Sequence, residues 1–113
     1  HKQQTNRKTK KMKFNYIRRP DGRPFAVIAT DLEEGSSLRV AYSVCNPADQ
    51  FIKSRARQIA VGRLEIPEKS VCLHVTPENR NAHALRALAY EYLANNEETP
   101  RRLRKVLAKY RTV

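Results

Sequence analysis

The sequence predicts one α+β domain: an antiparallel sheet of three to four strands, with helices packed on one of its faces, in the order βββαβαα. Three observations lead there. Three short strand-like segments, two alternating and one continuously apolar, follow one another across tight turns, Pro20-Asp21-Gly22-Arg23-Pro24 and Asp31 to Ser37. Later segments place apolar residues three and four apart, the period of a helix. And 113 residues are enough for one domain but not comfortably for two.

Residues 1–11 hold Lys2, Arg7, Lys8, Lys10 and Lys11 with no acid and no aliphatic side chain, and read as a disordered basic arm before a single domain over 12–113. Met12 to Arg19 forms the first strand, with Met12, Phe14 and Tyr16 on one face and Ile17 out of phase. In the turn that follows, Gly22 is free to take positive φ. Phe25 to Thr30 (FAVIAT) is a compact apolar strand in the middle of the sheet. In the third strand, Leu38, Val40, Tyr42 and Val44 alternate with Arg39, Ala41, Ser43 and Cys45. Asn46-Pro47-Ala48-Asp49 carries an N-cap, a proline for the first helical position and an acid to close a capping box. The helix so started, from about Pro47 to Gly62 or Arg63, has Ile52, Ala56, Ile59 and Ala60 as its stripe. Ser70 to Val75 is a fourth strand that rejoins the others after the helical crossover. Thr76-Pro77 starts a second helix with stripe Leu85, Leu88, Ala89, Tyr92 and Leu93. Thr99-Pro100 starts a third, the basic helix of residues 99–113, with stripe Leu103, Val106, Leu107 and Tyr110.

Charge narrows the function. The chain carries 23 Lys and Arg against 11 Asp and Glu, a net charge of +12, and a pI near 10.2. A domain pI above about 9 suits a polyanionic partner, because so much like charge otherwise costs self-repulsion in the folded state. The candidate nucleic-acid-binding residues fall in three groups. The arm and its junction supply Lys8, Lys10, Lys11 and Lys13. The first helix supplies Lys53, Arg55, Arg57 and Arg63. The third helix supplies Arg101, Arg102, Arg104, Lys105, Lys109 and Arg111, six cations in the last fourteen residues with no carboxylate after Glu98. No Asn or Gln follows Pro100. Side chains of this kind grip phosphates and read few bases, so low sequence specificity is expected, with DNA favoured over RNA. A solvated charged face is the plain alternative for the two helices, and a solubility tail that for the arm.

Other chemistries have little to stand on. The carboxylates are scattered over turns and connectors, so no catalytic residues and no enzyme are expected. Cys45, Cys72 and His74 lack the pair spacings of a structural zinc site, so no metal and no cofactor are expected. Two cysteines make no disulfide framework and read as reduced thiols of a cytoplasmic protein. No apolar run approaches the roughly 18 residues of a membrane span, and the first 13 residues lack the apolar core of a secretory signal. Phe14, Phe25, Tyr42 and Phe51 are expected in the core. Tyr90 falls off the stripe of its helix and is the aromatic expected at the surface.

Ala41 to Leu64 (AYSVCNPADQFIKSRARQIAVGRL) resembles a pattern in small basic proteins of bacteriophages and prophages. There a strand ends in a Cys-x-Pro-x-Asp turn and leads into a helix closing on Ala-x-Gly-Arg. The matching positions are Cys45, Pro47, Asp49, Phe51, Ile59, Ala60, Gly62 and Arg63. The resemblance implies a phage or mobile-element origin, and hence the host cytoplasm, and gives no established activity. The functional expectation is therefore a small, phage-type nucleic-acid-binding protein. The alternative, from another class, is a phage-encoded interaction protein that binds a host protein with an acidic surface and inhibits or redirects it. The strands form one sheet, or pair as two across a homodimer.

Overall fold

The alternating segments become β1 (Met12–Arg18), β2 (Pro24–Glu33) and β3 (Ser37–Val44), paired antiparallel in a meander. The computed structural model describes residues 12–33 and 36–110. Gly22 takes the positive φ, 93°, that the first turn needs, while the Asp21 carboxylate accepts the Arg23 amide at 3.0 Å. After α1 (Lys53–Leu64) and a 3-10 turn (Pro67–Lys69), β4 (Val71–His74) pairs antiparallel with β3, leaving β1 and β4 as the sheet edges. A second 3-10 turn (Pro77–Asn79) leads to α2 (Ala82–Asn95), and α3 (Arg101–Tyr110) follows. The α+β class and the order βββαβαα are thus as the sequence predicts.

The placement of the helices is not. They cover both faces of the sheet rather than one. On one face, Ile17, Ala26, Ile28, Leu38 and Val40 pack with Ala89 and Leu93 of α2 and Leu103 and Leu107 of α3. On the other, Val27, Ala29 and Ala41 pack with Ala56, Ala60 and Leu64 of α1. A strand covered on both sides is apolar at every position instead of at alternate ones, and β2 is buried without a break from Phe25 to Ala29. The same arrangement explains Ile17: its alternation faces α2 and α3, while Met12, Phe14 and Tyr16 face α1.

Two helix starts differ from expectation. The Asn46 side chain accepts the Ala48 amide at 2.9 Å, closing a local turn instead of capping a helix. α1 accordingly begins at Lys53, after Ile52 in extended conformation. Thr76-Pro77 opens only the 3-10 turn, and α2 is capped by Asn81, whose side chain accepts the Ala84 amide at 2.8 Å. The buried face of α1 is also narrower than its aliphatic residues suggest. Ala56, Ala60 and Leu64 are buried, whereas Ile52 and Ile59 are 45% and 40% exposed. Ala56 and Ala60 of α1 share their cluster with the equally small Ala29 and Ala41 of the sheet.

Gly62 sits in the last turns of α1 with nothing within 4 Å of the point where a Cβ would stand. Glycine there costs backbone entropy and gains no contact. Gly62→Ala is expected to stabilise the fold by about 0.5–1 kcal/mol, read as a higher urea midpoint at unchanged slope.

Candidate nucleic-acid interface

The sheet divides the predicted cations. Lys53, Arg55, Arg57 and Arg63 ride on α1 over one face; Lys13, from β1, and the α3 residues belong to the other. Lys8, Lys10, Lys11 and Arg111 lie outside the described residues.

On the α1 side the cations are tied to aromatic rings. Lys53 Nζ stands 4.9 Å from the centre of the Tyr16 ring. Arg57 lies 5.9 Å from the Phe14 ring and donates from Nη1 to the Tyr16 hydroxyl at 3.2 Å. Phe51 meets Tyr16 edge to face at 6.2 Å. Arg63 is half-buried and donates to the Tyr42 carbonyl at 3.0 Å, past the point where β4 stops pairing with β3. It holds a backbone group and is placed for structure. Arg55 points into solvent.

On the other side, α3 sorts its cations by angle. Leu103 and Leu107 are fully buried. Arg102 flanks them, with its guanidinium 4.7 Å from the Phe25 ring and Nη1 donating to the Cys45 carbonyl at 3.0 Å. Arg104 is half-buried on the opposite flank. Arg101, Lys105 and Lys109 are exposed, four residues apart along the solvent side of the helix. At about 1.5 Å rise per residue they form a row with steps of about 6 Å. The same residues that give α3 an apolar stripe thus force its remaining long side chains outward.

Sequence reasoning missed a groove between the β1 edge and α2. It has a volume of about 630 Å³. Leu32, Leu85 and Tyr90, all half-buried, give it its accessible apolar surface over the buried Ile28 and Leu38; Asn15 and Thr30 reach it from the strands, and Lys13, Arg80, His83 and Arg86 stand around it; no carboxylate lines it. It adjoins a second cavity that shares Asn15, His83, Arg86 and Tyr90 and extends to Tyr16 and Tyr110. Tyr90 is half-buried, not the surface aromatic expected, and tilts against Tyr110 at 5.3 Å between ring centres. Burial pushes its hydroxyl up to about 12, against the pull of the nearby Arg86 cation. The exposed aromatic of α2 is Tyr92. The groove had one signal in the sequence: Lys13 and Asn15 share the phase of Ile17 in β1, so they face the same way as the core under α2.

Among the described residues, no three His, Cys, Asp or Glu side chains gather as a metal site. Cys45 is half-buried with Sγ 3.4 Å from the Asn46 carbonyl oxygen, and Cys72 is exposed. No described helix is long and apolar enough to cross a membrane. Set against protein-family models, curated proteins and solved structures, the chain matches none of them significantly.

Proposed function

We propose that this protein binds nucleic acid through the phosphate backbone, with little sequence preference and with DNA favoured over RNA, and that it acts in a host cytoplasm as a phage or mobile-element product. The observation that supports this reading is the row Arg101, Lys105 and Lys109 on the solvent side of α3. Three cations at regular steps on a helix anchored by Leu103 and Leu107 present charge in a fixed geometry, which suits a fixed array of phosphates. The origin rests on the resemblance of residues 41–64 to phage proteins.

The test is fluorescence anisotropy with labelled duplex DNA, single-stranded DNA and RNA at two salt concentrations. Binding should weaken steeply as salt rises, by nearly one unit of logarithmic slope for each duplex phosphate neutralised. Absence of binding to all three at low salt would overturn the reading. The second reading, an interaction protein for an acidic host protein, draws on the exposed side chains of Ile59 on α1 and Ile52 just before it. Apolar surface of that kind suits a protein partner better than a phosphate backbone.

A further inference from the structure

We infer that the groove between the β1 edge and α2 is a site for unpaired nucleotides, in which a base lies on the apolar floor and its phosphate meets the cations at the rim. The inference rests on the nucleic-acid reading and adds a second mode of binding to it. The outer row of α3 has no concavity and no apolar surface, and grips only backbone. The groove has both. Its volume of about 630 Å³ falls within the roughly 300–1,000 Å³ of small-ligand clefts. Its accessible apolar surface of Leu32, Leu85 and Tyr90 disfavours a bare phosphate and accepts the face of a base.

Polar groups stand where a base edge would meet the wall. The Asn15 amide carries both donors and acceptors and the Thr30 hydroxyl carries one of each, so several bases can be satisfied. Lys13 and Arg86 lie within reach of a flanking phosphate, and with no carboxylate in the lining the site favours an anionic ligand over a cationic one. A base stacked in a duplex cannot reach such a floor; a base in a single strand can be splayed into it. The groove therefore discriminates single strands from duplexes, whereas the α3 row does not.

The experiment is amide NMR of the full chain with a ten-residue oligothymidine, a duplex containing the same strand, and decanoate as an anionic ligand with an apolar tail. It is paired with anisotropy on the protein and on Arg86→Gln, an exposed change on α2. Oligothymidine should shift the amides of Asn15, Thr30, His83 and Arg86 and the duplex should not. Arg86→Gln should weaken oligothymidine binding about tenfold and leave duplex binding within about twofold. Asn15→Ala should repeat that selective loss. Oligothymidine should also keep measurable affinity at a salt concentration that abolishes duplex binding, because stacking on the floor is not a counterion effect. Shifts from oligothymidine that avoid the groove would overturn the groove assignment and leave the nucleic-acid reading standing. Groove shifts from decanoate but none from oligothymidine would do the same. No binding of either nucleic acid at low salt would overturn both.

Discussion

Exchanging Arg101, Lys105 and Lys109 together for glutamine is expected to lower affinity for duplex DNA about a hundredfold at 0.1 M salt and to flatten its salt dependence by between two and three units of logarithmic slope. All three side chains are exposed on one side of α3. Each contact that neutralises a phosphate releases about 0.9 of a counterion, so three contacts account for two to three decades of binding at this salt concentration. Deleting α3 would be a poorer test, since it would also strip Leu103 and Leu107 from the core. The glutamine variant keeps the helix length and the buried stripe, so its urea midpoint should move little; exposed changes are usually worth no more than about 0.5 kcal/mol. Unchanged affinity and slope in a folded triple variant would remove α3 from the interface. Loss of affinity without loss of slope would mean that the contacts are not with phosphates.

The largest effect on stability is expected from Leu107→Ala, a loss of about 2–5 kcal/mol from a total of about 5–15 for a domain of this kind. Leu107 and Leu103 are fully buried and close the core that holds Ile17, Phe25 and Ile28. Removing the larger part of one side chain leaves a cavity roofed by only ten residues of helix. The Arg102 contacts with Phe25 and the Cys45 carbonyl hold the first turn of α3 in place, so the sheet cannot collapse freely onto the gap. A urea melt of Leu107→Ala against the unaltered chain measures the difference. A loss under about 1 kcal/mol would mean that α3 does not seal this core.

How far the fold was legible in the sequence depended on which signal each segment carried. Period-two alternation identified β1 and β3, a compact apolar run identified β2, and Gly22 was recognisable because its turn demanded positive φ. The unbroken apolar run of β2 already signified a strand covered on both faces, but three helices drawn to a single face hid that meaning. Ala56 and Ala60 are too small to outweigh Ile52 and Ile59 in a reading of hydrophobic stripes, though the alanines are what the sheet accepts. The cap-then-proline formula recurs at Asn46-Pro47, Thr76-Pro77 and Thr99-Pro100, yet only the last opens an α-helix directly. Proline sets one dihedral and removes one donor; whether a helix follows depends on packing by residues further along. The cations of α3 were legible as a set, but their division into Arg102 turned inward and Arg101, Lys105 and Lys109 turned outward needed the angle at which Leu103 and Leu107 dock. The groove was legible least, because Asn15 and Thr30 come together with Arg86 only through the register of β1 on β2 and the docking of α2.

The two sides of the sheet bury cores of unequal size. α1 is anchored by two alanines and one leucine, and buried apolar area sets most of what it costs to lift an element away. The opposite layer joins two helices and the larger aliphatic residues of four strands. The α1 side therefore has the smaller buried cluster to lose on local opening, and the outward cationic row and the groove both belong to the larger one.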